Sequence, residues 1–219
     1  MKNSMRIFLV CAGLLAALAA SGERAHATGL GFYGTLGAGN FDGDIKPDLG
    51  AKVSASDNLT KLGAGFAFDT NCATSQLINY RLLAGFETTD VNQNAWKRNE
   101  SFASFSIDNI LGFGLVATKE MRFWVGPELR AGYMWGTGSG FTKDANSVVL
   151  GLGGAAGINY HLGEDYDLAF QAGVRNEWLN GTWNYSNASK GDFDGNQTYG
   201  YFTISFLWRS LDDKFGATK

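Results

Sequence analysis

The stretch MRFWVGPELRAGYMW, Met121 to Trp135, decides the fold. Read with period two, it places Phe123, Val125, Leu129, Ala131, Tyr133 and Trp135 on one face and Arg122, Trp124, Gly126, Glu128, Arg130 and Gly132 on the other. Strict alternation is the mark of a β-strand between two unlike environments. Here one environment is oily and the other holds ions of both signs.

Seven more stretches repeat the pattern: Leu30–Gly39, Leu59–Asp69, Leu77–Thr88, Phe102–Leu115, Val148–His161, Tyr166–Trp178 and Tyr199–Arg209. Each is close to the ~9–11 residues with which a tilted strand crosses a bilayer. The longer spacers 40–58, 89–101, 136–147 and 179–198 alternate with short ones. That rhythm predicts an up-and-down antiparallel barrel with tight turns at one rim and long loops at the other. The expected fold is therefore all-β, a closed transmembrane barrel most simply of eight strands, with ten as the alternative.

Twelve charged residues fall on the second face: Lys61, Asp69, Arg81, Glu87, Asp108, Arg122, Glu128, Arg130, Asp167, Arg175, Glu177 and Arg209. In a membrane they cannot face outward, because one Arg or Lys at mid-depth costs roughly 2–4 kcal/mol. In a narrow lumen they can pair. An eight-stranded barrel has an interior just wide enough for side chains to fill. Lys61, Arg81, Glu87, Asp108, Glu128, Arg130, Arg175 and Glu177 are thus expected to plug it as an ionic network. A soluble lipocalin-like barrel would reverse the faces. Aromatics toward the strand ends, Tyr80, Tyr133, Trp135, Tyr160, Trp178 and Trp208, match a headgroup-level girdle and favour lipid.

Composition agrees. The 219 residues include 30 Gly, 2 Pro, 14% aromatic and 18% charged residues, which excludes a disordered chain, a collagen and a coiled coil. Residues 1–27 read as a signal peptide, with basic Lys2 and Arg6, an apolar run, and Ala25-His26-Ala27 before Thr28. Beyond it stand fifteen basic residues against twenty acidic, a balance that argues against nucleic acid as a partner. The barrel is expected over 28–210, with a short tail over 211–219 that leaves no room for a further domain.

The segments "GLGFYGTLGAG", "FWVGPELRAGYMWG" and the aromatic last strand "YGYFTISFLW" resemble the small eight-stranded outer-membrane barrels of the OmpA/OmpX-like and opacity-type kind. The resemblance implies a non-enzymatic Gram-negative outer-membrane protein, monomeric, with periplasmic termini and extracellular loops, serving envelope integrity or surface interaction. Its implied partners are outer-membrane lipid and lipopolysaccharide, the barrel-assembly machinery, and a host or surface ligand. Two alternatives are a small-solute or hydrophobic-molecule channel of the OmpW kind, and an enzyme modifying lipid A. The chain departs from the family in its tail after Trp208 and in Pro127, where a bulge is expected because proline lacks a ladder N–H. Asn109 falls on the oily phase, where a second bulge would excuse it.

Catalysis has little to work with. His161 is the single histidine after the signal and has no Ser two positions on, so it reads as a polar rim or lumen group. Cys72 has no partner cysteine and reads as a bystander in a turn. "FDGD" at 41–44 and "FDGN" at 193–196 lack the full calcium-loop spacing and read as turns, so neither metal nor cofactor is expected. Candidate contact residues in the long loops are Trp96, Trp183 and Tyr185.

Overall fold

The computed structural model of the chain describes residues 28–48, 52–70, 72, 77–93, 98–136, 142–185 and 190–209. The signal segment and the tail lie outside these residues. Eight antiparallel strands follow one another: β1 (Thr28–Pro47), β2 (Val53–Thr70), β3 (Ile78–Gln93), β4 (Arg98–Ala117), β5 (Met121–Gly136), β6 (Thr142–Leu162), β7 (Tyr166–Tyr185) and β8 (Lys190–Arg209). Each pairs with its neighbours in sequence, and β1 closes on β8 from Gly29↔Arg209 to Pro47↔Gly191. Closure leaves no unpaired strand edge, the condition for β structure inside hydrocarbon.

Along the half of each strand nearer the termini, outward positions are apolar and exposed. Leu30, Leu62, Phe66, Phe86 and Val174 are 59–67% accessible. Phe32 packs against Phe66 and Trp208 at 5.1 and 5.7 Å, and Phe206 stacks on Tyr166. All twelve strand charges named above are buried inside. An oily exterior around an ionic interior is the transmembrane arrangement, the reverse of a lipocalin-like barrel.

The strands other than β5 continue past this belt, and along them polar residues take over the outward positions. In β8 the outward residues change from Phe202, Ile204, Phe206 and Trp208 to Asp192, Asp194, Asn196 and Thr198, while inside Phe193 replaces the polar Thr203 and Ser205. In β1, Phe41 points in while Asn40, Asp42 and Lys46 point out. Hence the expected long loops are not loops. The connections at the rim away from the termini are only 48–52, 94–97, 137–141 and 186–189. The flanking segments are rich in Asn, Asp, Ser and Gly because their outer face meets water, and that composition imitates a turn.

"FDGD" and "FDGN" show this directly. They are not turns but facing strand segments, with Asp42↔Asn196, Gly43↔Gly195 and Asp44↔Asp194 paired. Phe41 stacks on Phe193 inside at 6.1 Å with the rings 14° from parallel. Outside, Asp44 accepts from Ser54 Oγ at 2.6 Å and lies 2.8 Å from Lys52 Nζ. Lys52, with Ser54, holds the Asp44 carboxyl below the usual carboxylate range.

The two irregular positions differ from expectation. Opposite β4, the ladder skips from Ile110↔Glu128 to Phe113↔Val125, so Pro127 opens a gap without shifting register. The missing N–H accounts for it, and the β6 side stays paired through Pro127↔Gly154. The one-residue register shift lies further on, between Gly114 and Val116. Asn109 needs no bulge. It pairs with Leu82 and accepts a hydrogen bond from the Tyr80 hydroxyl at 2.5 Å, which satisfies its amide oxygen on the lipid face.

Glycines inside the barrel make room for large rings. A Cβ on Gly157 would fall 2.4 Å from the fully buried Trp124 ring and 2.9 Å from the Phe170 carbonyl oxygen. Gly157→Val is therefore expected to destabilise the barrel by about 1–3 kcal/mol through overpacking, read as a lower temperature of the heat-modifiable band shift. Gly154→Ala is the control, since a Cβ there meets only the Gly126 carbonyl oxygen at 3.9 Å. Gly163, at φ 74°, turns β6 into β7.

Candidate functional site: the ionic lumen

Within one strand, residues two apart share a face, so the parity that exposes the oily side chains delivers the charges inward. Lys61 comes from β2, Arg81 and Glu87 from β3, Asp108 from β4, Glu128 and Arg130 from β5, and Arg175 and Glu177 from β7. The structure brings seven of these into one cluster at mid-barrel and places Arg81 in a second layer nearer the termini.

In the central cluster Arg130 is the hub. Its Nη1 donates to Glu87 at 2.9 Å and to Asp108 at 3.2 Å, Nη2 also binds Glu87, and Nε lies 3.0 Å from Glu177. Arg175 donates to Asp108 at 3.1 Å, to Glu128, and to the Tyr199 hydroxyl at 3.0 Å. Lys61 Nζ donates to Glu177 at 2.8 Å and lies 4.4 Å from the Tyr199 ring centroid. Arg175 also lies over the Tyr201 ring at 4.6 Å. Fork-shaped guanidinium groups suit such crowding, since each can hold two carboxylates in fixed directions.

The layer nearer the termini is built around Asp69. Arg81 clamps it through Nε and Nη2 at 3.0 and 2.6 Å, and Asn79 donates to it at 3.1 Å. Arg81 also reaches Asn159 at 2.8 Å and lies 4.9 Å from the Trp124 ring centroid. Arg122 is buried near this layer and donates to the Leu77 carbonyl at 3.3 Å. At the mouth, His161 Nδ1 lies 2.6 Å from Asp167, and Arg209 binds the Gly163 carbonyl. Cys72 is buried and forms no disulfide, and its carbonyl accepts from Asn159 Nδ2 at 3.0 Å.

Neutral side chains join the layers. Tyr201 donates to Glu128, Gln171 Nε2 donates to the Tyr201 hydroxyl at 2.8 Å, and Arg81 Nη1 donates to Gln171 Oε1 at 3.2 Å. A connected polar path thus runs from Lys61 to Asp69. By formal charge the central cluster has three cations against four anions, while Arg81 and Arg122 outnumber Asp69 in the second layer. The excesses are opposite and cancel across Gln171. The sequence set Trp124, Gln171 and Tyr201 on the ionic face but gave no relay role to them or to Tyr199 and Asn159. The signal that finds them is parity, because each shares the inward phase of a charged residue on its own strand or, for Asn159, of His161.

Beyond the central cluster the lumen lining becomes largely apolar and aromatic, with the Asp57 and Glu100 carboxylates buried at the same end. Phe41, Leu59, Phe102, Leu179, Trp183 and Phe193 are buried there. Trp183 is consequently not an exposed loop aromatic. It is 5% accessible, an even number of residues from Glu177 on β7, and its ring packs 5.6 Å from Phe193 and 6.1 Å from Phe102. Trp96 and the side chain of Tyr185 lie outside the described residues.

The girdle aromatics fall at two heights on the outside. Tyr80, Tyr160 and Trp208 lie toward the termini, whereas Tyr133, Trp135 and Trp178 lie where the apolar belt ends, on β5 and β7. Tyr133 and Trp135 stack at 6.2 Å.

No protein-family model and no curated protein matches the chain. Among solved structures, it is similar to the outer membrane protein OprG from Pseudomonas aeruginosa at 14% identity, over 86% of this chain and 98% of that one, with a TM-score of 0.60. Neisserial surface protein A aligns at 18% identity over 78% and 95% of the two chains, with a TM-score of 0.35. The attachment invasion locus protein Ail of Yersinia pestis aligns at 11% over 81% and 98%, with a TM-score of 0.32. At these identities the likeness to OprG is one of fold.

Proposed function

We propose that this chain, which has the fold of the small eight-stranded outer-membrane barrels, is a closed, non-enzymatic outer-membrane protein that serves envelope integrity and presents a rigid polar rim at the cell surface. The carrying observation is the ionic network across the lumen. Arg130 and Arg175 tie together carboxylates from β3, β4, β5 and β7, and a layer of aromatic rings around Trp183 and Phe193 lies beyond them. Filled in this way, the lumen offers no wide aqueous path. In this reading the termini are periplasmic and the short hairpins beyond the polar rim are extracellular. Surface contact is then made by the outer faces of the extended strands and by those hairpins.

Single-channel recording tests the closure. The purified barrel in planar bilayers is expected to give no stepwise conductance at moderate voltage. Regular steps from the unmodified protein would overturn the closed reading.

A second reading, a conduit for hydrophobic molecules, is favoured by one observation, the apolar lining formed by Phe41, Phe102, Trp183 and their neighbours at the far end. It predicts that a small apolar solute quenches Trp183, which the closed reading does not. A lipid A modifying role has no comparable support, because His161 is engaged with Asp167 inside the mouth nearer the termini.

A further inference from the structure

Asn109 is a polar side chain in the middle of the oily belt. On the outward face of β4 it has Phe105 and Ile107 before it and Leu111 and Phe113 after it. Across the ladders it pairs with Leu82 on β3 and Leu129 on β5. Lipid headgroups lie at the rims, and the acyl chains between them hold no hydrogen-bonding group.

The barrel supplies this amide with one partner. The Tyr80 hydroxyl donates to Oδ1 at 2.5 Å, which leaves that oxygen a second lone pair and leaves Nδ2 with no acceptor among the described residues. Asn176, an outward amide on β7, is served at both ends: it donates to Asn196 at 2.9 Å and to Thr198 at 2.7 Å, and it accepts from Asn196 at 3.1 Å. Turning the Asn109 amide end for end exchanges a spare donor for a spare acceptor and removes neither the surplus nor its cost in hydrocarbon.

The wall around Asn109 is low. Ala84 and Ala131 both pair with Ile107, one on each side of β4. Outward rings frame the patch without covering it, with Phe86 against Phe105 at 5.2 Å on the side away from the termini and Tyr80 and Phe113 on the side toward them. Another barrel wall can therefore come within reach of a side chain as short as asparagine.

We propose that Asn109 marks a contact between two copies of this chain, packed side by side in the membrane about a two-fold axis along the bilayer normal. Such an axis holds both copies of Asn109 at one depth. An amide with a spare donor and a spare lone pair is its own complement, so Nδ2 of each copy donates to Oδ1 of the other. Polar side chains join transmembrane segments in the same way elsewhere. Lipid cannot take this place, because acyl chains offer no acceptor. The contact requires a barrel embedded in a bilayer and so rests on that reading, and it replaces the monomer that the resemblance implies.

The test uses the purified full barrel, labelled at its N-terminus with donor or acceptor dye and reconstituted in dimyristoylphosphatidylcholine vesicles. Energy transfer between copies is followed as lipid dilutes the protein, and it is expected to stay above the level set by chance proximity. Asn109→Leu replaces the amide with a hydrocarbon fork of the same branching. It is expected to weaken association by about 5–20-fold, as the loss of two hydrogen bonds in hydrocarbon would. Asn109→Gln should restore most of the loss. Ala84→Phe leaves the amide but raises the wall beside it, and is expected to weaken association as well. Transfer at the chance level in the parent, or an Asn109→Leu variant that associates as the parent does, overturns the proposal. Failure of the parent to enter the vesicles overturns instead the membrane reading beneath it. All three substitutions face outward and leave the lumen untouched, so the variants are expected to fold, and their heat-modifiable mobility verifies it.

Discussion

Arg130→Met is expected to lower the temperature at which the folded band converts to the unfolded one by on the order of 10 °C. The guanidinium contacts Glu87, Asp108 and Glu177, three carboxylates from three strands, and the side chain is 1% accessible. Methionine fills similar volume but leaves those anions facing one another with less compensation. Breaking a buried ion pair from one side costs about 3–5 kcal/mol. Arg130→Lys separates charge from geometry: it keeps the cation, loses the fork, and should fall between the two. The stability is read by gel mobility across a temperature series in a fixed detergent. A conversion temperature unchanged in Arg130→Met would mean that the network is dispensable and the lumen is held by its apolar layers alone.

The second large effect concerns the outside. Phe66→Arg is expected to cut the yield of folded barrel in lipid bilayers by more than tenfold, because it places a cation in the belt at a cost of about 2–4 kcal/mol and removes the ring that packs on Phe32. Asn58→Arg, eight residues earlier on the same strand and the same face, is expected to fold as the parent does. Both positions are exposed, so exposure does not distinguish them. Depth does. Equal folding of the two variants in bilayers would contradict the inversion of polarity along the strand, and equal failure would push the hydrocarbon boundary beyond Asn58.

That inversion also explains what the sequence made legible and what it concealed. Alternation identified eight strands, and in six of them an ion such as Arg81, Glu128 or Arg175 marked the inner face, since a charge can occupy only one side of a wall set in lipid. Above the belt the same alternation persists, but the polar phase has moved outside and an aromatic phase inside. Asp42, Asp44, Asn196 and Gly195 then read as turn formers, and Trp183 as a loop aromatic. Counting parity from Glu177 to Trp183, or from Tyr201 to Phe193, carries the strand through. Hydrogen-bond relays such as Gln171 and Asn159 were legible by position but not by role. A neutral amide announces nothing until its partners from other strands are known. The gap at Pro127 was foreseeable from its lost donor. Whether the strand would bulge or merely skip pairs depended on the β6 side remaining paired, which only the register shows.

The extra strand length has a mechanical corollary. β1 and β8 have twenty residues each, roughly twice what is needed to cross hydrocarbon. The surplus, at ~3.3 Å per residue and inclined as barrel strands are, carries the wall formed by β1 and β8 some 20–25 Å beyond the lipid boundary. On the proposed orientation, a receptor, antibody or neighbouring cell that reaches this wall meets hydrogen-bonded strands. It therefore forfeits little conformational entropy on contact, and small changes in the four hairpins can alter what is recognised without disturbing the wall that carries them.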